Sequence, residues 1–399
     1  MKRVILKYIG CFVALIALFT GLMTAVYAIP NEAIEWHEEY SKVVLDIEES
    51  WESLGNLFGG HGQPGMLDNT TDRVMMEAAM VQHPERNAFL NAMDINGYAR
   101  YWHGYQVFLR PLLTLYQYHQ IRYLNLFIFF GTFILVLFEI RAKLGRGYSA
   151  AFFMAVTCSY LTTIPSSMQF MSVYMTAFAA SLIVLKGYPF QKRESMGLLF
   201  MVVGMVTSFL DLLTAPLVTL GLPILLDMAL DAKENERHCI CNAFAASLNW
   251  GAGYALCWAS KWLLAYAALG KGVMSSVSGH AEHWAAGQLT FANRLEAVKI
   301  NFEKFFLQHG LRTMIFPLAL FAVLLVLAIA FYGGNRKKIA CSAGMFCTAL
   351  YPYIWYFVMA EHSRLHQWFT FRNQAMTLLA VYFAVANLVD WNRVKKAKS

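Results

Sequence analysis

Long apolar runs, repeated along the whole chain, restrict this sequence to an all-helical membrane protein. Val4–Ala28 is almost wholly apolar, and nine further apolar runs follow between Leu124 and Val389. A helix needs about 20 predominantly apolar residues to cross a bilayer. Of the 399 residues, 58% are hydrophobic and only 14% are charged, which excludes an ordinary soluble protein. We predict an all-α polytopic protein with about ten spans in a single transmembrane domain over residues 1–399.

The later runs are separated by polar connectors, and several are short for a membrane helix, which predicts tilted or broken helices. They are Leu124–Ile140, Ala150–Ile164, Met171–Leu185, Gly197–Leu210, Pro216–Leu230, Ile240–Leu269, Met314–Tyr332, Ile339–Ala360 and Thr370–Val389. Val26, Tyr27 and Ala28 resemble a signal-peptidase site. We favour a retained anchor, because the first run is longer than the usual signal-peptide core of about 7 to 15 residues.

Basic residues predict the topology. If Met1 is cytoplasmic, every short inner connector is basic, as the positive-inside rule requires. These residues are Arg141, Lys143 and Arg146; Lys186, Lys192 and Arg193; Lys233 and Arg237; Arg336, Lys337 and Lys338; and Arg393, Lys395, Lys396 and Lys398. Both termini of this multi-pass cell-membrane protein are then cytoplasmic. Residues 30–120 form a long first extracytoplasmic segment, and residues 270–312 form an extracytoplasmic loop with an amphipathic helix that covers the site.

The net charge of +7 could indicate a nucleic-acid partner, but the basic residues lie in short clusters between apolar runs. No nucleic-acid partner is therefore predicted, and membrane lipids are the expected surroundings. The seven cysteines lie in or beside apolar runs, so no disulfide framework is implied. Lys261 lies near the outer end of its run, where it is expected to snorkel towards water or to face an outer cavity.

Carboxylates on the outer side are the first candidates for chemistry. Asp68 and Asp72 are four residues apart, so on a helix they share one face and could hold a metal or divide acid and base work. The alternative is a capped helix start, in which Thr71 caps a helix that begins at Asp72. Asp211 lies between two apolar runs, where an ionisable group is costly in free energy. It is therefore a candidate functional residue. Its alternative is a helix cap, shared with Thr214, for a helix starting near Pro216.

Two dense clusters of cationic and aromatic residues lie at predicted outer membrane edges. The first contains Tyr98, Arg100, Tyr101, Trp102, His103, Tyr105 and Arg110, and the second, within Glu361–Arg372, contains His362, Arg364, His366 and Arg372. Aromatic belts and snorkelling explain such residues singly. Arg and His in these numbers are suited to a phosphate headgroup. The four-residue spacing of His362 and His366 also suits a metal, so a divalent cation is left open as a cofactor.

All candidate catalytic residues thus lie on the outer side, where no nucleotide is available. A group donor would have to arrive as a membrane lipid. We find no nucleotide-binding loop, nucleophile elbow or zinc signature that would indicate another chemistry.

Four segments resemble motifs of a group of bacterial polytopic membrane proteins whose layout is similar to that of C-fold (GT-C) integral-membrane glycosyltransferases. They are Leu67–Met76, Arg100–Leu113, Ser208–Pro223 and Glu361–Arg372, in this order. The resemblance implies a polyprenyl-phosphate-sugar donor and inverting transfer to a hydroxyl of a cell-envelope glycan.

Carried onto this chain, the resemblance implies that Asp72 or Asp68 is the base, with Asp211 as a second acidic member. Arg100, Tyr101, Trp102, His103, His362, His366 and Arg372 are the expected donor contacts. The base of such enzymes usually follows the first span closely, so Glu35, Glu38 and Asp46 remain alternatives. A transporter or flippase of a lipid-linked glycan is the rival function, although transporters more often show internal repeats and charges near the bilayer midplane.

Overall fold

The computed structural model describes residues 2–48, 67–95, 97, 99–187, 193–234, 239–270, 289–307 and 310–397. It is all-helical over these residues, with 82% helix and no strand. Several residues named above lie outside this described part: Tyr98, Lys192, Arg237 and Lys398.

The described residues form nineteen α-helices. They are α1 (Lys2–Tyr27), α2 (Glu35–Ile47), α3 (Asn69–Ala79), α4 (Ala88–Met93), α5 (Gln106–Leu113), α6 (Tyr118–Lys143), α7 (Arg146–Thr157), α8 (Met168–Lys186), α9 (Arg193–Leu210), α10 (Pro216–Lys233), α11 (Cys239–Leu269), α12 (Phe291–Phe306), α13 (Gly310–Ala330), α14 (Arg336–Thr348), α15 (Tyr351–Val358), α16 (Ala360–Leu365), α17 (Gln367–Thr370), α18 (Gln374–Asn387) and α19 (Trp391–Lys396). Short 3₁₀ turns cover Asn31–Ala33, Ile164–Ser166 and Phe371–Asn373.

Three of these helices are long and apolar enough to cross a membrane: α1, α6 and α8. The apolar stretches Ser195–Leu210 and Met314–Ala330 are shorter. Two predicted runs are interrupted. The run Ala150–Ile164 leaves the helix after Thr157, and the run Ile339–Ala360 divides between α14 and α15. Broken helices were expected from the short runs, but the break points were not.

The core surrounds α10, which is buried on nearly all sides. Such a helix must be apolar all round, because no face of it meets solvent. α8 and α18 pack against it, and α6 and α7 complete this part of the bundle. Beside it, α9 and α11 approach so closely that a Cβ atom on Gly204 would collide with the carbonyl oxygen of Trp250, and one on Gly253 with that of Met201. Small residues permit this close contact between helices.

Two local predictions were wrong. α3 begins at Asn69 rather than Asp72, and its cap is Asp68, whose Oδ1 accepts the Thr71 amide at 3.1 Å. A disulfide joins Cys239 to Cys341, with Cα atoms 5.8 Å apart, whereas the sequence predicted no disulfide. The two cysteines are 102 residues apart, so no spacing pattern announces the pair.

Arg110 ties the segment that follows α1 to the ends of α1 and α3. Its fully buried guanidinium donates to the carbonyl oxygens of Val26 (2.8 Å) and Ile29 (2.5 Å), and also to that of Ala79. It lies over the Tyr27 ring, 4.7 Å from the centroid. Carbonyl groups at a helix C-terminus lack partners within the helix, so one cation satisfies the ends of both α1 and α3.

We expect Arg110→Met to lower the free energy of unfolding by about 3 kcal/mol or more, because it leaves several buried carbonyl groups without donors. Thermal unfolding of the full chain in detergent measures the effect. The control is Arg73→Met, which removes a half-exposed ion pair with Asp46 and should cost about 1 kcal/mol or less. Equal losses in both variants would contradict this role for Arg110.

Candidate functional site

A cavity of about 410 Å³ lies where the two predicted clusters meet. Its wall includes Arg100, Tyr101 and His103 from the first cluster and His362 and His366 from the second. The two clusters are about 260 residues apart in sequence. The structure therefore brings together five of the seven residues that were predicted to contact a donor.

The segment at residues 100–105 is held by α9 and α11. The indole nitrogens of Trp258 and Trp262 both donate to the carbonyl oxygen of Arg100, at 2.8 and 3.1 Å. The Gly104 amide donates to the carbonyl oxygen of Phe209 at 2.8 Å, and a Cβ atom at Gly104 would collide with that oxygen. His103 is left with φ of +53°, a left-handed backbone conformation that is uncommon for residues other than glycine.

His362 is fixed from the opposite side of the cavity. Its Nε2 lies 2.9 Å from the carbonyl oxygen of Leu213, and its ring centroid lies 4.7 Å from that of His366. Leu213 itself has φ of +64°. Backbone strain at two wall-forming segments is typical of functional sites, where surrounding contacts must hold it in place.

Both imidazoles are neutral rather than cationic at neutral pH. Burial and, to a smaller degree, the neighbouring His366 lower the pKa of His362 to about 3. Burial also lowers the pKa of His366, against the opposing effect of Asp68. From the sequence, these residues were expected to be cationic donors to a phosphate. In the structure they are neutral hydrogen-bonding groups, and Arg100 is the permanent cation among the predicted wall residues.

Asp68 joins three separate segments behind the cavity wall. Its Oδ2 accepts from Thr71 Oγ1 (2.6 Å), Gln169 Nε2 (2.8 Å) and Trp368 Nε1 (3.0 Å). Gln169 and Trp368 also line the cavity. Neither Gln169 nor Trp368 was predicted from the sequence, because an amide at a helix start and an indole near a membrane edge are both common.

Asp72 lies deeper and has different partners. It is fully buried, its Oδ1 accepts from Ser167 Oγ at 2.8 Å, and its Oδ2 is 3.4 Å from Arg122 Nη2. Burial raises the pKa of Asp72 to about 6, although Arg122 opposes the shift. Asp72 does not line the cavity, so the two carboxylates have separate surroundings despite their spacing.

Asp211 is connected to Asp68 through two side chains. Its Oδ1 accepts from the Thr214 amide at 2.9 Å, Thr214 Oγ1 donates to Gln169 Oε1 at 3.1 Å, and Gln169 donates onwards to Asp68. Burial raises the pKa of Asp211 to about 7. Asp211 was expected to cap the helix that starts near Pro216. In the first turn of that helix, α10, it is instead Asn373 Oδ1 that accepts the Leu217 amide.

Trp102 and Arg372 do not line the cavity. The Trp102 indole is buried and donates to the carbonyl oxygen of Cys257 at 2.9 Å. The Arg372 guanidinium lies 3.8 Å from the centroid of the Phe170 ring and donates to the carbonyl oxygen of Trp368 at 3.1 Å. Arg372 thus acts on the cavity indirectly, by holding the residue that binds Asp68.

Two of the other carboxylates kept as possible bases, Glu38 and Asp46, have structural partners of their own. Glu38 is buried and pairs with Lys42 at 3.0 Å, Asp46 pairs with Arg73, and neither lines the cavity. Lys261 does not snorkel as expected: it is fully buried and donates to the carbonyl oxygens of Ala92 (3.2 Å) and Met93 (2.9 Å). It thereby caps the C-terminus of α4.

An amphipathic helix was expected within residues 270–312, and α12 lies there and packs against α16 and α17 beside the cavity. Asn301 donates to the carbonyl oxygen of Ser363 at 2.9 Å and accepts from Thr370 Oγ1 at 2.8 Å.

Among the described residues, no group of three or more His, Cys, Asp and Glu side chains could hold a metal ion.

The raised pKa of Asp211 predicts a pH dependence of stability. A carboxyl group with a higher pKa in the folded chain binds more protons when folded, so stability is lost as pH rises from the ordinary value near 3.8 towards about 7. Each pKa unit is worth about 1.4 kcal/mol. Relative to Asp211→Asn, the unmodified protein should therefore lose a few kcal/mol between pH 4.5 and 7.5. If the free energy of unfolding of the two proteins changes in parallel with pH, the raised pKa of Asp211 is contradicted.

Comparison with known proteins adds no relative to this picture. No protein family model, curated protein or solved structure matches the chain.

Proposed function

We propose that this protein is an integral-membrane glycosyltransferase. It transfers a sugar from a polyprenyl-phosphate carrier to a hydroxyl group of a cell-envelope glycan, on the extracytoplasmic face. The proposal includes the ten-span, C-fold-like layout with both termini in the cytoplasm, in a bacterial plasma membrane. Three candidate membrane-spanning helices support the membrane part of this proposal.

One observation carries the proposal: the cavity combines a buried cation, two neutral imidazoles and a nearby carboxylate at one end of the bundle. Arg100, His362 and His366 line it, and Asp68 lies just behind Gln169 and Trp368. Transfer from a lipid phosphate needs donors that stabilise the departing phosphate and a base for the acceptor hydroxyl. The cavity wall provides the donors, and Asp68, which is hydrogen-bonded to two wall residues, provides the carboxylate.

Asp68 suits the base better than Asp72 does. Two of its hydrogen-bond donors, Gln169 and Trp368, line the cavity, and its Oδ1 accepts only the Thr71 amide among the hydrogen bonds described. Oδ1 therefore retains capacity to accept a proton. Asp72, in contrast, is fully buried against Arg122 and Ser167. A structural role for Asp72 fits these contacts.

An apolar groove beside the cavity suits the lipid part of such a donor. The groove has a volume of about 490 Å³ and runs between α5, α6, α8 and α9. Its wall includes Met168 and Leu210, which are the immediate neighbours in sequence of Gln169 and Asp211. A polyprenyl chain in the groove would gain free energy from burial, at roughly 25 cal/mol per Å² of apolar surface, with its phosphate directed to the cavity.

The proposed step is a single displacement at the anomeric carbon. The acceptor oxygen forms a bond to that carbon while Asp68 takes the hydroxyl proton. The bond between the anomeric carbon and the phosphate oxygen breaks, and its electron pair leaves with the polyprenyl phosphate. Arg100 stabilises the added negative charge on the leaving group. Inversion at the anomeric carbon follows, because attack and departure take place on opposite faces.

We expect Asp68→Asn to reduce sugar transfer by about 10²-fold or more, since general base catalysis typically contributes 10² to 10⁴-fold. The variant keeps an oxygen that can accept the Thr71 amide, so α3 should still form. The assay follows radiolabelled sugar from polyprenyl phosphate into envelope glycan in membranes with matched protein levels. Asp46→Asn, an exposed carboxylate outside the cavity, is the control. Full activity of Asp68→Asn would refute the base assignment.

Arg100→Gln tests the phosphate contact separately. Loss of one hydrogen bond to a charged group costs about 1.5 to 3 kcal/mol, so the KM for the lipid donor should rise about tenfold or more. The KM for the acceptor should change little, and Arg73→Gln should leave both unchanged. An unaltered donor KM would argue against Arg100 as the phosphate ligand. If intact labelled donor crosses the membrane of sealed vesicles and no sugar is transferred to an acceptor, the result would instead favour a flippase.

A further inference from the structure

A second polar cavity lies at the other end of the bundle. Its volume is about 420 Å³, and it is bounded by the C-terminal ends of α6 and α10, the start of α14 and the short helix α19. α6 begins at Tyr118, near Asp72, and extends over 26 residues. At about 1.5 Å per residue it separates the two cavities by roughly 39 Å. The second cavity therefore takes no part in the proposed transfer.

Five basic residues converge on this cavity from four helices. They are Arg141, Lys143, Lys233, Lys338 and Lys395. The positive-inside rule accounts for basic residues at this end of the bundle, but it does not require that they share one cavity. Arg336 and Lys337, which are equally basic and adjacent in sequence, do not line it. The convergence is thus a property of the fold rather than of composition.

One carboxylate also lines the cavity, and its oxygens are already bound. Asp390 Oδ1 accepts the amides of Asn392 and Arg393, at 3.1 and 3.2 Å, and Oδ2 is 3.3 Å from Arg393 Nε. Arg393 does not line the cavity. Asp390 therefore caps α19 and leaves most of the positive charge of the five basic side chains without compensation within the wall.

Two further features of the wall favour an anion. Gly145 is the N-cap of α7 and offers no side chain to the first amides of that helix. Amides at a helix N-terminus attract negative charge. Lys233 Nζ donates to the carbonyl oxygen of Lys143 at 2.6 Å, so this cation covers an acceptor that would otherwise repel an anion. Asn387 and Trp391 complete the wall with polar and aromatic surface.

We propose that this cavity is a binding site for a phosphate-bearing anion. Its place at the end of α6, a candidate membrane-spanning helix, favours the headgroup of an anionic phospholipid over a soluble phosphate. Basic pockets between helices at a membrane surface bind such headgroups through several Lys or Arg side chains, each worth about a fivefold gain in affinity. The occupant would link α6, α10, α14 and α19 at their ends.

The test uses the full chain in neutral detergent with added phosphatidylglycerol, phosphatidylcholine or inorganic phosphate. Bound lipid is counted by native mass spectrometry, and thermal stabilisation is measured in parallel. We expect phosphatidylglycerol to bind in preference to phosphatidylcholine. The triple variant Lys143→Gln, Lys233→Gln and Lys395→Gln should weaken that binding by about tenfold or more.

The matched control, Arg336→Gln, Lys337→Gln and Lys396→Gln, removes the same charge outside the cavity and should change affinity less than threefold. The corresponding triple replacement by Arg keeps the charge and should retain binding, which separates a lost site from a lost fold. Binding of inorganic phosphate that depends on the same three lysines would support the anion site and assign it to a soluble ligand. Equal loss in both Gln triples, or no lysine-dependent binding of either phosphatidylglycerol or inorganic phosphate, would overturn the proposal.

Discussion

The buried guanidinium of Arg110 sets the geometry on which the candidate site depends. By binding carbonyl oxygens at the ends of α1 and α3, it fixes where α3 lies relative to the first apolar helix. α3 carries Asp68 at its start, and Asp68 then reaches Gln169 and Trp368. The position of Asp68, and with it the contacts to Gln169 and Trp368, therefore depends on how Arg110 holds α3. A charge placed in this way needs no acidic partner, because several carbonyl dipoles share it.

Burial rather than ion pairing sets the protonation of the candidate site. It raises the pKa of Asp211 and lowers the pKa of His362, so both groups are biased towards their neutral forms. A site that already lies in a low dielectric can add one charged ligand and interact with it strongly. Arg100 is then the natural counter-charge for a phosphate, with the imidazoles as hydrogen-bonding partners. This division of roles differs from the sequence-based expectation that the two histidines would be cationic.

Hydropathy and charge pattern predicted the helical class and the meeting of the 100–103 and 362–366 segments. They could not predict that Asp68 is the cap of α3, since Asp68 and Thr71 both suit a helix start. They missed Gln169 and Trp368, because these act only through contacts between distant segments. They also could not exclude Trp102 and Arg372 from the wall, since residues adjacent in sequence to a cavity can turn their side chains away from it. The Cys239–Cys341 pair was missed because it joins residues 102 positions apart, which no spacing pattern indicates.

The glycine contacts between α9 and α11 have a mechanical consequence for the cavity. Backbones that touch at Gly204 and Gly253 leave no side-chain layer to slide or repack, so the two helices should move as one body. The 100–104 segment is attached to this body through Phe209, Trp258 and Trp262. The facing wall, with His362 and His366, belongs instead to short helices that pack under α12. The wall at residues 100–104 is thus rigidly attached, whereas the wall with His362 and His366 belongs to short helices. Any opening that admits the proposed lipid-linked substrate should therefore come from movement of the short helices.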